Sequence, residues 1–459
     1  MDDHLIPAMF ATSRAFAAER AGAAMARARA NHRKYGLAGP RLIGSTHAIT
    51  EVMFDRQFRG DPIESCSREV VYARVAGLVE AGAPIEMTLP ALPFKFSSPL
   101  KNRGRRPDLA ELNFLLGLYE IALTIELIYR AARPGLPGRL ARFTVASDGH
   151  RFNRFVNEPD AVIEAYRARL TGWIRRLRLD GYITLVDYRA LLREAMPPAL
   201  QRRKAAIAGR ARATYAAALW PVFDPYRFAA TMVAAAGVEP DPESANREGR
   251  FVSLLRSLVY TIRYEALRTL ERLPAARYRS LYRELTGHLF EPYAVLSPAE
   301  LDAGRAELES GPERAPTVGT REYLRQAMLR EAWECAINYL AEIKSDRELA
   351  DDPIMTCLPH HFRWTIHAKS GQLAVSTPIA LGIRVQAWAG TAVFRWARGR
   401  RIKLCTLPVL ALEGTGATPV RLSGFGGQPF FYIDPDIAFA DMAEFLSLVR
   451  TSLVRRRTG

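Results

Sequence analysis

The longest apolar stretch of the chain runs from Leu109 to Tyr129. Apolar residues cover almost every face of a helix through this stretch, which predicts a helix buried in the interior. Acidic residues interrupt the run at helical spacing and basic loops flank it, so we predict a core helix and no membrane span. A segment rich in proline and glycine, 133–140, ends the helix. The polar positions are Glu111, Asn113, Glu120, Thr124 and Glu126.

Short β-branched runs predict strands in two separate blocks. The first block includes 142–147, which is followed by Asp148-Gly149-His150. Strands and helices alternate over 85–200, which indicates an α/β fold, whereas 201–350 is almost entirely helical in pattern. The second block has predicted strands separated by turn signals, at 363–367, 372–377, 383–388, 391–396 and 402–412.

With 459 residues, the chain is too long for one ordinary small domain. The pattern predicts an α/β fold with an added helical subdomain. The predicted divisions are an N-terminal helical region at 1–84, an α/β catalytic core from 85–200 and 351–440, a helical insertion at 201–350, and a C-terminal helix with a basic tail at 441–459.

A cluster of cationic side chains follows Pro93, in a stretch that prolines prevent from starting as a helix. A cationic loop that leads into a helix N-terminus can bind an anion, because side chains supply charge and free backbone N–H groups donate hydrogen bonds. The alternative is a solvated basic loop, and the pattern leaves both open. The cluster consists of Lys95, Lys101, Arg103, Arg105 and Arg106.

Asp108 and Glu111 have the spacing of a capping box at the start of the apolar helix. The spacing favours a structural role for both carboxylates. The alternative is that one of them faces a pocket and binds a substrate amine.

Asp148 and His150 follow the strand 142–147. Ligands of open α/β sheets bind at the carboxyl ends of strands, which makes these residues candidates for acid–base work. An Asp-Gly turn with an exposed histidine explains the pattern equally well. Ser147, His150 and Asp187 contain the residue types of a catalytic triad, but no serine lies in a Gly-x-Ser-x-Gly motif, so we do not favour a triad.

No metal or cofactor is predicted. His360, His361 and His367 lie close together, but adjacent histidines usually point in different directions and no acidic residue lies at ligand spacing. The cysteines have no metal-ligand spacing either, and their isolation predicts a reducing, cytoplasmic location. They are Cys66, Cys335, Cys357 and Cys405. The N-terminus does not have the pattern of a secretory signal.

The chain carries 64 Lys and Arg against 48 Asp and Glu, a formal net charge of +16. Such a charge fits nucleic acid, acidic membranes or phosphorylated substrates. The arginines are scattered along helices and no strand interleaves basic and aromatic residues, so solvated helix faces are the simplest interpretation and nucleic acid is not favoured.

Several motifs resemble the pyoverdine/dityrosine biosynthesis family, which includes isonitrile synthases. The first block carries Pro-Phe-Lys-Phe-Ser-Ser-Pro at 93–99, Pro-Asp-Leu-Ala-Glu at 107–111, Phe-Thr-Val-Ala-Ser-Asp-Gly-His at 143–150, and Tyr166 four residues before Leu170. The second block is similar to the family more loosely, at 332–339, 359–367 and 428–432.

The resemblance implies a Rossmann-like mixed sheet to which both core blocks contribute, with the helical insertion packed outside. It implies condensation of an amino acid α-amine with the ketone of ribulose 5-phosphate, giving an isonitrile with no metal or nicotinamide. Its expected partners are therefore an amino acid and a sugar phosphate; a homodimer is left open. Catalytic roles are expected for Asp148, His150 and Glu111, and substrate binding for Lys95, Lys101, Arg103, Arg105, Asp108, Arg363 and His367.

Two departures from the family pattern concern the substrate. The family's Thr-Pro-Trp-His element is here Thr377-Pro378-Ile379-Ala380, and the helical section near 205–320 is longer than usual. Both leave open a related carbon–nitrogen transferase with another amine or an N-formyl product. A non-catalytic, basic nucleic-acid-binding protein is the third alternative, and the intact set of Lys95, Asp108, Glu111 and Asp148 argues against it.

Overall fold

The computed structural model describes residues 2–34, 41–55, 67–95, 102, 104–153, 158–226, 258, 273–310, 315–349, 352–365, 373–374, 379–380, 383–384, 386–397, 401–412, 414–422, 427–441, 443–445 and 447–448. The helices within them are α1 (Asp2–Lys34), α2 (Arg41–Met53), α3 (Arg68–Ala81), α4 (Leu109–Ala132), α5 (Gly149–Phe152), α6 (Asp160–Arg176), α7 (Tyr188–Ala195), α8 (Pro198–Leu219), α9 (Ala275–Gly287), α10 (Pro298–Ser310), α11 (Val318–Glu348) and α12 (Pro353–Cys357).

The strands are β1 (Ile85–Pro90), β2 (Ala141–Ser147), β3 (Ile183–Asp187), β4 (Phe362–Thr365), β5 (Leu373–Ala374), β6 (Ile379–Ala380), β7 (Ile383–Arg384), β8 (Thr391–Ala397), β9 (Arg401–Leu407), β10 (Thr418–Arg421) and β11 (Pro429–Ile433). They form two larger sheets and the β6–β7 pair.

The main sheet has five strands in the order β3-β2-β1-β4-β5, and neighbouring strands are parallel. Strand β1 pairs with β2 from Ile85 opposite Ala141 to Pro90 opposite Ala146. This order matches the first five strands of one of the two common strand orders of doubly wound α/β sheets. The predicted α/β fold class is therefore confirmed, and the second sequence block contributes β4 and β5 to the sheet of the first.

A second sheet has the order β10-β11-β8-β9, with β8 and β11 parallel and the other pairs antiparallel. The later strands thus lie in a sheet of their own, whereas the sequence predicted one mixed sheet. The two sheets still share one hydrophobic core, which contains Phe143 and Trp364 from the first and Phe394 and Phe431 from the second. The two blocks therefore form a single structural unit.

The strand predictions failed where proline or glycine interrupts the pattern. The predicted strand 402–412 ends at Leu407, because Pro408 follows and the chain then forms a 3-10 turn, Val409–Leu412. Strands β10 and β11 were not predicted individually. Strand β11 is buried throughout and lies directly after the glycine-rich segment 424–427, whose composition suggests a loop.

Helix α4 is the central helix of the first half of the fold. Most of its side chains are buried, and α1 packs against it with a stripe of small residues, Ala17, Ala21, Ala24 and Ala28. By length and composition alone α4 could cross a bilayer, but 78% of its apolar window is buried inside the fold. A core helix explains this pattern, as the sequence predicted.

The helical section after residue 201 is anchored to the rest of the fold through α8 and α11. These helices pack along each other and are joined by ion pairs, Lys204 with Glu342 at 2.7 Å and Arg212 with Glu334 at 2.7 Å. Helix α11 also contacts the turn after β2, because Glu342 binds Arg151 at 3.0 Å. The domain boundaries stay a prediction, but this section reaches the carboxyl edge of the main sheet.

The first prediction concerns Gly149, where the turn after β2 touches the loop after β1. A Cβ atom at this position would lie 2.2 Å from the carbonyl O of Pro93 and 2.8 Å from Cγ2 of Ile163. We expect Gly149→Ala to lower the free energy of unfolding by about 1–3 kcal/mol, the range for overpacking, as measured by urea denaturation.

The matched control is Gly172→Ala in α6, where a Cβ atom meets nothing within 4 Å. This change should leave stability unchanged or raise it by up to about 1 kcal/mol, because alanine favours helix. Equal stability of the Gly149 variant and the wild type would contradict the close approach.

Candidate active site

The candidate active site lies at the carboxyl ends of three adjacent parallel strands, β1, β2 and β3. These ends lead to Lys95, to the turn Asp148–His150, and to Asp187. Doubly wound sheets bind their ligands at this edge, which is where the sequence predicted the acid–base residues.

The backbone after β1 is strained. Leu92 is fully buried and has a φ of +56°, a conformation that side chains other than glycine rarely adopt. Its carbonyl O accepts a hydrogen bond from Ser147 Oγ at 2.8 Å. Strain of this kind is often found at functional sites. Ser147 joins β1 to β2 through this bond and is fully buried, so it does not act as a nucleophile.

A buried cluster of three charged residues connects the loop after β1 to the start of α4. Lys95 Nζ lies 2.8 Å from Asp108 Oδ2 and 3.0 Å from Glu111 Oε2, and all three side chains are at most 2% exposed. The predicted capping box is also present, because Asp108 Oδ1 accepts from the Ala110 N–H and Glu111 Oε2 accepts from the Asp108 N–H. The capping role is therefore confirmed, and both carboxylates also bind the ammonium group of Lys95. Binding of a substrate amine by one of them stays a prediction.

One ammonium group can neutralise only one of the two carboxylates. Burial raises the pKa of Glu111 to about 8; Lys95 lowers it and Asp108 raises it, both to a smaller extent. Burial lowers the pKa of Lys95, but the charges of Asp108 and Glu111 outweigh this effect and the net shift is upward. At pH 7 the cluster therefore holds a cationic lysine and a mostly neutral Glu111.

Tyr166 extends the cluster towards Asp148. The Tyr166 hydroxyl donates a hydrogen bond to Glu111 Oε1 at 3.2 Å. Burial raises the pKa of Tyr166 well above 10, and the charges of Glu111, Asp108 and Asp148 add to this. Asp148 is thus close enough to Tyr166 to act on it electrostatically. The motif at Tyr166 was part of the predicted resemblance, but this contact was not predicted.

The cationic loop is tied to the second sheet. Asp108 Oδ2 accepts from Thr391 Oγ1 at 2.9 Å, and the side chain of Gln428 accepts from the Arg106 N–H and donates to the Arg106 carbonyl. Arg105 is half-buried and Arg106 is exposed. The cavity beside Lys95 and Asp108 measures about 10 Å³, which is space for about one water molecule. Two other members of the predicted anion site, Lys101 and Arg103, lie outside the described residues.

His150 forms a pair with Asp187 across the ends of β2 and β3. His150 Nδ1 lies 2.6 Å from Asp187 Oδ2, and Nε2 lies 3.2 Å from Glu164 Oε1. His150 and Asp187, the base and the acid of the triad considered from the sequence, are therefore adjacent. The position that a serine would occupy near Nε2 is taken by Glu164, so the structure forms a His–Asp pair and not a triad.

A cleft of about 500 Å³ opens beside His150, between α5, α7, α8 and α11. Of the predicted site residues that the structure describes, His150 alone lines it. Arginines and an amide form much of the polar wall. The charged, imidazole and amide side chains of the lining belong to His150, Arg151, Arg189, Arg212, Asn338 and Glu342.

Arg151, the residue after His150, is fixed by α11. Its guanidinium binds Glu342 at 3.0 Å and also Asp346, and it lies 4.9 Å from the centre of the Tyr188 ring. Lys204 of α8 binds the same two carboxylates. No local pattern pointed to this network, since Arg151 and Glu342 are 191 residues apart in sequence.

Arg363 and His367 were predicted to bind substrate. Arg363 Nε binds Asp352 Oδ2 at 2.8 Å, and the guanidinium also donates to the carbonyl of Trp364. Arg363 is thus held by Asp352, the N-cap of α12. His367 lies outside the described residues. Among the residues that the structure describes, no group of three or more His, Cys, Asp or Glu side chains could hold a metal ion.

A second prediction concerns Lys95→Met. Methionine fills a similar volume but leaves Asp108 buried without its counter-ion, and breaking a buried ion pair from one side costs about 3–5 kcal/mol. We expect a loss of this size in the free energy of unfolding by chemical denaturation. Arg68→Met, which breaks an exposed pair with Glu51 of 2.6 Å, is the control and should cost less than about 1 kcal/mol. Equal losses in the two variants would show that the buried cluster is not important for stability.

A third prediction follows from the pKa of Glu111, raised from 4.5 to about 8. Between these values the folded chain holds a proton that the unfolded chain loses. The contribution of Glu111 to the free energy of unfolding is therefore complete below about pH 4.5 and is lost as the pH rises through about 8. Between these values it falls by up to about 1.4 kcal/mol per pH unit. Glu111→Gln keeps the cap and cannot ionise. The slope of unfolding free energy against pH should be less negative in this variant, and parallel curves would show that Glu111 is ionised throughout.

The similarity to known proteins is concentrated in the part of the chain that forms this site. Residues 75–220 match the family of pyoverdine/dityrosine biosynthesis proteins. The L-tyrosine isonitrile synthase of Pseudomonas aeruginosa is 39% identical over 124 residues, 27% of this chain and 35% of that protein. The L-tyrosine isonitrile synthase of Xenorhabdus nematophila is 36% identical over 102 residues, 22% of this chain and 28% of that protein.

The L-tryptophan isonitrile synthase of Fischerella ambigua is 28% identical over 111 residues, 24% of this chain and 32% of that protein. The chain thus spans about a third of the length of these curated relatives. The crystal structure of the PvcA protein from Pseudomonas aeruginosa aligns with 84% of this chain and all of that one, at 20% identity and a TM-score of 0.45. The resemblance predicted from the motifs is confirmed: residues 75–220, which contain Lys95, Glu111, Asp148 and His150, are similar to the pyoverdine/dityrosine biosynthesis proteins.

Proposed function

We propose that this chain is an isonitrile synthase-like transferase that condenses the α-amine of an amino acid with ribulose 5-phosphate. The observation that carries the proposal is the pair of His150 with Asp187, beside a cleft of about 500 Å³ at the carboxyl edge of the parallel sheet. The similarity of the surrounding segment to isonitrile synthases supports the reaction class.

His150 is the proposed general base of the condensation. Asp187 accepts a hydrogen bond from Nδ1–H, so Nε2 is the ring nitrogen that can accept a proton from a substrate once Glu164 has moved away. Its present neighbour is Glu164, whose side chain is 59% exposed and can move away when a substrate enters. His150 then takes a proton from the substrate ammonium group. The free amine attacks the ketone carbon, and the carbinolamine loses its oxygen as water to give the imine.

Asp148 and Glu111 are the proposed proton carriers for the later elimination steps. Asp148 stands at the end of β2, on the same turn as His150, and acts electrostatically on Tyr166. Glu111 is mostly a neutral acid at pH 7 and contacts the Tyr166 hydroxyl. In this structure the Tyr166 hydroxyl donates to Glu111 Oε1, so proton transfer from a neutral Glu111 to Tyr166 requires the hydroxyl to rotate and accept from that oxygen.

The amino acid carboxylate needs a cation, and Arg105 and Arg363 are the proposed candidates. Arg105 is half-buried, and Arg363 is already paired with Asp352, so it requires a partner exchange to bind substrate. Lys95 and Asp108 hold the loop and the helix start that surround this site. The identity of the amino acid stays open, because Thr377-Pro378-Ile379-Ala380 departs from the family's sequence there.

The proposal is tested by incubating the full chain with ribulose 5-phosphate and each aromatic amino acid in turn. Mass spectrometry should detect an amino acid isonitrile that depends on both substrates. A product that retains an N-formyl group, or one formed only with another amine, would favour the related carbon–nitrogen transferase. If no amine is converted while the protein is folded, the proposed reaction is wrong.

A fourth prediction separates catalysis by Asp148 from a turn role. Asparagine has nearly the same shape and keeps the hydrogen bonding of the turn, but it cannot accept a proton. Asp148→Asn should lower kcat by about 10²–10⁴-fold, the usual effect of removing a general base, with an unchanged Tm. The control is Asp180→Asn in the exposed turn before β3, which should leave kcat unchanged. Full activity combined with a lower Tm would assign Asp148 to the turn alone.

A further inference from the structure

The cleft beside His150 is built jointly by the sheet edge and the helical section. The turn after β2 provides His150 and Arg151, and α7, which follows β3, provides Arg189. The opposite wall comes from the helical section: Arg212 of α8 and Asn338 of α11. The helical section was predicted to pack outside the core, but its side chains line a cleft of about 500 Å³ at the candidate active site.

The wall of the cleft is rich in cationic groups. Three guanidinium groups, those of Arg151, Arg189 and Arg212, face one lining carboxylate, that of Glu342. The guanidinium of Arg151 is held by Glu342 and Asp346, and that of Arg212 is paired with Glu334 at the rim. Arg189 is exposed, and among the described residues it has no carboxylate within ion-pair distance. An anion in the cleft would therefore gain its main new contact from Arg189.

The part of the predicted cationic anion site around Lys95 is less suitable for binding a phosphate than the cleft at His150. Lys95 already contacts two carboxylates, and the cavity beside it measures about 10 Å³. A phosphate group does not fit in that space, which is large enough for about one water molecule. The cleft at His150 is about fifty times larger.

We infer that this cleft binds the phosphate end of a phosphorylated small-molecule co-substrate, with Arg189 and Arg212 as phosphate ligands. Guanidinium groups bind phosphate through paired, charge-assisted hydrogen bonds. Arg151 is a fixed part of the wall, and Asn338 can bind a hydroxyl of the co-substrate. The inference rests on the proposed function for the identity of the sugar, since the cleft itself indicates only a small anion.

The position of His150 indicates how a sugar phosphate would be oriented in the cleft. Because His150 lines the same cleft as Arg189 and Arg212, a phosphate held between α7 and α8 leaves the rest of a short sugar chain in the cleft that the imidazole borders. The carbonyl of the sugar then reaches the imidazole, where the amine attacks. Gly209 of α8 leaves this path open, since a Cβ atom there would meet nothing within 4 Å.

The test measures binding of ribulose 5-phosphate to the full chain by isothermal titration calorimetry, without an amino acid. Arg189→Gln should weaken binding by at least about 10-fold, and combining it with Arg212→Gln should weaken it by about 100-fold or more, the effect of losing charge-assisted contacts. Inorganic phosphate should compete with the sugar phosphate in the wild type. The matched control is Arg193→Gln, on the same helix but 74% exposed and outside the cleft, which should leave the Kd within about 2-fold.

A second variant tests whether the volume of the cleft is needed for binding, without a change in its charge. Gly209→Leu fills the cleft, keeps every arginine and favours helix formation, so it should block binding with no loss in Tm. Unchanged binding in Arg189→Gln, in the double variant and in Gly209→Leu would overturn the inference. So would a wild type that does not bind ribulose 5-phosphate.

The binding measurement also separates this inference from the proposed function. If the wild type binds the sugar phosphate in the cleft but forms no isonitrile with any amino acid, the cleft assignment stands and the proposed reaction fails. If the wild type forms isonitrile and the cleft variants bind the sugar phosphate normally, the reaction stands and the cleft assignment fails.

Discussion

A lysine ammonium held between two carboxylates in the interior connects the parts of the fold that meet at the candidate active site. Lys95 comes from the loop after the central strand β1, and Asp108 and Glu111 begin the central helix α4. Thr391 of the second sheet binds the same Asp108 oxygen. Buried charges are costly to desolvate, and the cluster is stable only while all of its members are paired. Displacement of any one of these three segments would therefore leave a buried charge uncompensated.

The same cluster sets the protonation state of the site. Because Glu111 is fully buried and one ammonium faces two carboxylates, its pKa is raised to about 8 and it keeps its proton near neutral pH. The neutral acid contacts Tyr166, and Tyr166 is near Asp148. The cluster that joins the strand, the helix and the second sheet thus also contains a neutral acid, the group that we propose as a proton carrier. The same carboxyl group of Glu111 serves both contacts: Oε2 accepts from the Asp108 N–H of the capping box, and Oε1 accepts from the Tyr166 hydroxyl.

Local features of the site were predictable from the sequence, and distant contacts were not. The capping box at Asp108 and the strand that ends in Asp148-Gly149-His150 depend on residues a few positions apart, and the structure contains both. The partners of Lys95 could not be read from the loop, since a cation after prolines suggests solvent. Arg151 and Glu342 meet only because α11 returns to the sheet edge, 191 residues later. Strand β11 was missed because glycines precede it, although it is fully buried.

The residues that line the cleft also come from two parts of the chain. His150, Asp187, Arg189 and Arg212 all lie within residues 75–220, the segment that is similar to pyoverdine/dityrosine biosynthesis proteins. The wall contributed by α11 lies outside that segment. The residues proposed for proton transfer and anion binding therefore lie in the part of the chain with known relatives, while α11 of the helical section provides the opposite wall. A change at Asn338 of α11 can alter which molecule fits the cleft without removing the contact of His150 with Asp187, because both of these residues come from the ends of β2 and β3.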